Sequence, residues 1–501
     1  MDLTLQIINV LLVGLPFIAA GVGVGVVAGA LPGFGASNTL IILLPLTLQL
    51  SAESALLLVV GLFVGVRLGG ATPAILINVP GTASGAVTAL EGFPLKKMGR
   101  AGEALGIALL ASVIGSAVSG FIALGAAPLI ASIALKFSAP EIFALTIFSI
   151  AMVGQISGGD LIKGWLAGAA GLLVGSVGVD PMWGTERGTF GFIELYDGIP
   201  VIAALVGLYA VAEVMTLVEN RSASRVTETP TVGRSAELWQ GIKYVMTRPV
   251  DILRSSAIGS FIGALPGAGA NIASFLSYQQ AITFSPSAAD QATFGKGNPR
   301  GIIASEAADN ACASGALVPM MTLGIPGSAS TAVMLLIMSA HGLNVGPTLF
   351  AETPVLAFAI LAAIPVAAFL LFFIGFGAMF AAVRLVLIPP AILAVIISLF
   401  ALAGAFAARY LEFDWFLALF FGFVGYLMRK EGYPSQAMLI GVILAPAVES
   451  NFFIGLREGF GSPTVFFTRP IALGIWALLI ASTLFIAWKK KQALEKLKEP
   501  V

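Results

Sequence analysis

The chain has one cysteine, Cys312, and one histidine, His341. A disulfide framework is thereby excluded, and a metal site built from Cys and His has too few ligands. Charge is also scarce: Asp, Glu, Lys and Arg make up 10% of the 501 residues, against about a quarter in soluble domains. The 26 basic and 26 acidic residues cancel, so no global field steers the protein toward nucleic acid or an acidic partner. No GxxxxGKS or GxxxxGKT phosphate loop is present, so any work done must draw on a gradient or a separate ATPase. Met1 to Gln6 lacks the Lys and Arg of a cleavable signal. The first apolar run therefore reads as a retained span with its amino end outside.

What the chain does have is apolar sequence, 58% of all residues. Runs long enough to cross the hydrocarbon lie near 7–30, 54–77, 103–130, 141–157, 160–179 and 199–218. Others follow near 252–265, 314–340, 354–380, 388–408, 412–428, 436–448 and 470–488, and the stretches 36–50 and 270–283 read as half-helices. The expectation is an all-α polytopic membrane protein with about ten to fourteen passes. Its parts are a first membrane repeat at 1–218, a cytoplasmic linker at 219–250, a second repeat at 251–488 and a basic cytoplasmic tail at 489–501. Charge placement supports that orientation. Lys96, Lys97 and Arg100, the linker arginines Arg221, Arg225, Arg234 and Arg248, Arg429-Lys430 and Lys489-Lys490-Lys491 all mark cytoplasmic loops or ends.

Two interrupted motifs occur once in each half. Leu31-Pro32-Gly33-Phe34-Gly35-Ala36-Ser37-Asn38 is echoed by Leu265-Pro266-Gly267-Ala268-Gly269-Ala270-Asn271, and Asn78-Val79-Pro80-Gly81-Thr82-Ala83-Ser84 by Gly324-Ile325-Pro326-Gly327-Ser328-Ala329-Ser330. Pro73 and Pro319 each stand 7 residues before the second proline, and Gly69 and Gly315 each stand 11 before it. Pro32 to Pro80 is a step of 48 and Pro266 to Pro326 one of 60, which puts an insertion of 12 in the second half, within Ser285–Gly297. With the linker inside and the amino end outside, the two halves enter the membrane from opposite sides as inverted repeats, with discontinuous helices or re-entrant hairpins.

Broken backbone at membrane depth survives only where protein or a water-filled cavity satisfies it. A half-helix that begins after a Pro-Gly break offers unpaired N–H groups and a positive dipole end, a setting suited to an anion. The candidate substrate residues are Gly33, Gly35, Ser37, Asn38, Asn78, Gly81, Thr82, Ser84, Gly267, Gly269, Asn271, Gly327, Ser328 and Ser330, with Arg67 as a charged partner. Kinking or close helix packing explains a single such motif equally well. Duplication with the same polar followers favours a ligand site.

Ionisable groups inside apolar segments are functional candidates because burying charge is costly. Glu306, Asp309 and Asn310 share one helical face just ahead of the fourth break. Asp309, Asn310 and Thr331 are the candidates for Na⁺ or H⁺ coupling; the competing reading ends this helix at the interface with solvated charges. Arg67 can meet a substrate carboxylate, pair with Asp309 or snorkel outward. Asp160, Lys163, Arg384, Glu449 and Arg457 read as interfacial or structural pairs, and His341 as a turn residue.

Through these motifs, and through Gly69-Gly70, Glu91-Gly92-Phe93-Pro94, Gly295-Lys296-Gly297 and Glu306–Asn310, the chain resembles the large permease subunit of tripartite tricarboxylate transporters, the TctA family. The resemblance implies a permease of the bacterial inner membrane that imports carboxylates by cation-driven secondary transport. It also implies two partners, a small membrane subunit (TctB-like) and a periplasmic solute-binding protein (TctC-like). No cofactor is implied beyond Na⁺ as coupling ion. Three positions depart from the family pattern: Thr82 replaces an acid, Asp309-Asn310 replaces Asn-Asn, and Arg67 stands at an apolar position. An added arginine suits a different carboxylate; a buried Arg67–Asp309 pair explains the same changes without one. An anion-selective channel and a polytopic membrane enzyme are the other function classes, and the lone His with scattered acids offers no catalytic set.

Overall fold

The computed structural model describes residues 2–31, 35–82, 84–157, 160–180, 183–219, 235–265, 267, 269–385 and 388–496. Among the described residues, eight helices are long and apolar enough to cross a membrane: Leu3–Gly29, Ala52–Ile77, Ala101–Ala134, Val201–Glu219, Pro354–Ala381, Ala391–Arg409, Ser435–Glu458 and Pro470–Trp488. Shorter apolar helices, Ala36–Thr47, Ala139–Gln155, Leu161–Gly175 and Ala329–Ala340, lie among them. The strand pairing among the described residues is one antiparallel hairpin of Gly178–Val179 against Glu186–Arg187. The protein is an all-α polytopic membrane protein.

Each half runs through the same series of elements. In the first, α1 (Leu3–Gly29) leads to the LPG break, then to the short α2 (Ala36–Thr47), the long α3 (Ala52–Ile77), the NVPG break, the short α4 (Gly85–Lys97) and α5 (Ala101–Ala134). In the second, Pro249–Ala264, Gly269–Thr283, Pro299–Leu323, Ala329–Ala340 and Pro354–Leu385 follow in that order. Local chemistry sets the boundaries. Asn78 (φ 58°) and Gly324 (φ 71°) both adopt the left-handed conformation that ends a helix, each two residues before the proline of its break. Asn298 starts the Pro299 helix by accepting from the Arg300 amide, with proline at the first helical position. Hydropathy makes 314–340 a single span, and here the structure differs: Gly324 and Pro326 split it into the end of one helix and the whole of the next.

Small residues bring the paired helices into backbone contact. A Cβ added at Gly25 would sit 2.5 Å from the Leu62 carbonyl oxygen, and one at Gly65 would sit 2.4 Å from that of Val22, so α1 and α3 interlock reciprocally. The second half repeats this, with Gly259 against Ala308 and Gly315 against Ser260. Gly25→Val is expected to lower stability by about 1–3 kcal/mol through overpacking, read as a lower thermal midpoint in detergent.

Two helices form the centre. Every residue of α3 from Ala55 to Leu76, and of the Pro299 helix from Arg300 to Thr322, is buried. α3 is apolar nearly all round and therefore sits inside. The Pro299 helix carries Glu306, Asp309 and Asn310 inward, which overturns the reading of solvated charges at an interface.

The connection between α2 and α3 is residues 48–51, whereas 284–298 joins the equivalent helices of the second half and holds a short helix, Ala288–Gln291. The longer loop falls where the insertion was expected. Within the polar stretch 219–250, Ser235–Met246 is an amphipathic helix laid on α5, its Leu238, Gly241, Ile242 and Val245 buried. Arg221, Arg225 and Arg234 lie outside the described residues. At the carboxyl end, the helix Pro470–Lys496 runs into the basic tail.

Candidate functional site

All four short helices after the breaks begin at one cavity of about 340 Å³. Gly35, Ala36 and Ser37 at the start of α2 line it, with Thr82 and Ser84 ahead of α4. Gly267, Gly269, Ala270, Asn271 and Ile272 come from the Gly269 helix, and Gly327, Ser328, Ala329 and Ser330 from the Ala329 helix. Arg67, Pro434 and Gln436 complete the wall. Among the described residues of the wall, one side chain is cationic and none is acidic. Four helix amino ends, each carrying about half a positive charge, and a guanidinium give this wall a character suited to an anion.

The hydroxyl arrangement also recurs. Thr82 Oγ1 and Ser84 Oγ stand 3.1 Å apart, as do Ser328 Oγ and Ser330 Oγ. Ser328 further caps its helix: its hydroxyl accepts from the Thr331 amide at 3.3 Å, and the Thr331 hydroxyl accepts from the Ser328 amide at 2.9 Å. Gly267 (φ 82°) and Gly269 (φ 63°) take left-handed backbone that only glycine adopts cheaply. A Cβ at Gly267 would also meet the Val153 backbone at 2.7 Å.

Arg67 is 8% exposed. Its Nη1 donates to Asp309 Oδ1 at 2.7 Å, its guanidinium lies 5.5 Å from the Phe63 ring centroid, and its buried Nε has no partner among the described residues. The pairing expected as one alternative is therefore present, and the same side chain reaches the cavity. Asn310 Nδ2 donates to the Glu306 carbonyl at 3.0 Å, and its Oδ1 accepts from Ser116 at 3.4 Å. The Glu306 carboxyl contacts the Thr88 hydroxyl at 2.5 Å and accepts from Ser112 at 3.1 Å. Asp309, Asn310 and Thr331 are thus engaged by Arg67, Ser116 and Ser328 respectively, and none of the three lines the cavity. Among the described residues, no three His, Cys, Asp or Glu side chains gather as a metal centre.

A second cavity of about 300 Å³ shares Gly35, Ser37 and Thr82 with the first and adds Asn38, Pro80, Gly81, Tyr209 and Glu213. Asn38 and Gly81 therefore face this adjoining space. Asn78 is an exposed helix cap that lines neither cavity, and Gly33 lies outside the described residues. Tyr209 and Glu213 belong to the apolar span Val201–Glu219, Tyr209 within its π turn, Val206–Val211, and Glu213 just after it, and hydropathy marks that span only as a membrane pass. Pro434 and Gln436 escaped it because they have no counterpart in the repeat. Of the residues assigned to structural pairs, Glu449 binds Arg187 at 2.5 Å and Asp160 caps its helix through the Ile162 amide at 2.9 Å. His341 caps the Ala329 helix at a turn.

Comparison with known proteins agrees with this architecture. The family model "Tripartite tricarboxylate transporter TctA family" matches residues 15–440. An uncharacterised 52.8 kDa protein of the TAR-I ttuC' 3' region of Agrobacterium vitis is 34% identical over 461 residues, 92% of this chain and 90% of that protein. An uncharacterised protein of the TAR-II ttuC' 3' region of the same organism is 30% identical over 239 residues, 47% of this chain and 98% of that protein. No solved structure matches the chain. With a family model covering most of its length, the chain belongs to the tripartite tricarboxylate transporter TctA family.

Proposed function

We propose that this protein is a secondary active transporter that imports a carboxylate across the bacterial inner membrane, coupled to a Na⁺ or H⁺ gradient. The observation that carries this reading is the cavity itself: four helix amino ends from both halves, with Arg67 and no acidic side chain among the described residues of its wall. A carboxylate there would accept from backbone amides and small hydroxyls, with the guanidinium opposing its charge. The two halves act as inverted repeats in this account, and the site lies near the midplane between them, open to each side in turn.

A periplasmic solute-binding protein delivers the substrate, and a small membrane subunit completes the permease. The amino terminus lies outside and the carboxyl terminus inside, in keeping with basic residues at Lys96, Lys97, Arg100, Lys243, Arg248, Arg429 and Lys430. The test is uptake of a panel of di- and tricarboxylates by proteoliposomes holding the chain with both partner subunits, under Na⁺ and pH gradients imposed separately. One gradient should raise uptake of at least one carboxylate. Uptake indifferent to both gradients would remove cation coupling, and substrate conversion in place of translocation would favour an enzyme.

A further inference from the structure

We infer that Glu306 is a proton-binding site, present as the neutral carboxylic acid while Arg67 holds Asp309. Both acids lie on one face of the buried Pro299 helix, Glu306 being 1% exposed, yet their surroundings differ. Asp309 has a guanidinium at 2.7 Å. Among the described residues, the Glu306 carboxyl meets hydroxyls alone: Thr88 at 2.5 Å and Ser112 at 3.1 Å. A carboxylate removed from water with no cation in contact is held far better as the neutral acid.

The hydroxyls around it can accommodate that proton. The Thr88 hydroxyl lies 2.5 Å from Glu306 Oε1 and 2.8 Å from Ser305 Oγ, and Ser305 donates to the Ile302 carbonyl at 3.2 Å. With Thr88 turned to donate to Ser305, a protonated Glu306 donates to Thr88 while its second carboxyl oxygen accepts from Ser112.

The charged groups on the elements packed around this helix are otherwise engaged. Glu91 on α4 accepts from Tyr278 and the 295–298 loop, Glu103 on α5 binds Arg100, and Asp251 binds Arg254 and Arg300. Glu53 lies at the start of α3, Lys96 and Lys97 at the end of α4, Glu352 in a short helix and Arg384 at the end of its own helix. Arg67 and Asp309 are the charges that act on Glu306.

This geometry deepens the transport reading and rests on it for its role in the cycle. A substrate carboxylate that engages Arg67 loosens its hold on Asp309, and the freed negative charge favours the proton on Glu306. Carboxylate and proton then bind with mutual support. On release the acid O–H bond breaks, both electrons stay on the carboxylate, and the proton passes to water.

The test is infrared difference spectroscopy of the purified full-length chain at neutral pH, in ordinary and in heavy water. The expected result is the carbonyl stretch of a protonated carboxylic acid, lost in Glu306→Gln and shifted but retained in Thr88→Val, which keeps the acid and checks against misfolding. A band unchanged in Glu306→Gln, absent from the wild type, or removed by added Na⁺ overturns the proposal. In the proteoliposomes, Glu306→Gln should lose uptake driven by a pH gradient. The infrared signal reads the acid even if no variant transports anything, so failure of the transport reading is seen separately.

Discussion

Replacing Arg67 by Met should destabilise the protein by about 3–5 kcal/mol, because removing one partner of a buried ion pair leaves an uncompensated charge. The charge left behind is Asp309, 2% exposed and 2.7 Å from the guanidinium in the native structure. Adding Asp309→Asn should return most of the lost stability, since the amide needs no cation. Thermal unfolding in detergent of both single variants and the double variant gives the coupling between the two sites. Carboxylate uptake separates the two roles of Arg67. The double variant should stay inactive, because the guanidinium is also the one cationic side chain among the described residues of the cavity wall. Recovery of uptake together with stability would reduce Arg67 to a structural staple.

An effect of similar size is expected at Glu91, a position that the cavity does not use. This fully buried carboxylate accepts from the amides of Gly295 (2.5 Å), Gly297 (2.7 Å) and Asn298 (2.7 Å) and from the Tyr278 hydroxyl (2.6 Å). It thereby ties α4 of the first half to the inserted loop and the Gly269 helix of the second. Each buried donor left without an acceptor costs about 1–3 kcal/mol, so Glu91→Ala should rank among the most destabilising single changes in the chain. Glu91→Gln keeps one acceptor and turns two hydrogens toward donors, and should fall between Ala and wild type. Hydrogen exchange should show the 295–298 amides losing protection first; unchanged protection there would contradict the assignment.

How much of this was legible in the sequence depends on the range of the interaction. Pro-Gly breaks act locally, and their duplication pointed directly at Ser37, Thr82, Ser84, Asn271, Ser328 and Ser330, all of which line the cavity. Hydropathy averages over some twenty residues, so it ran straight through Gly324 and Pro326 and fused two helices at 314–340. Asn78 looked like a ligand because it is polar and precedes a break, yet asparagine also tolerates the left-handed cap that ends α3. Glu306 and Asp309 stand three residues apart on one helical face, and of the two the sequence singles out only Asp309 for coupling. Tertiary packing tells them apart, by bringing Arg67 to one and Thr88 with Ser112 to the other. Tyr209 lies in a π turn that no apolar pattern signals.

The central claim is that the breaks of both halves build a single carboxylate site. It is tested most directly by measuring gradient-driven carboxylate uptake in two variants, Ser37→Phe from the first half and Asn271→Phe from the second, each reconstituted with the partner subunits and each confirmed as folded by its thermal midpoint. The account predicts that both lose uptake, since each ring fills the same cavity from opposite repeats. Wild-type uptake in either folded variant would contradict a shared site.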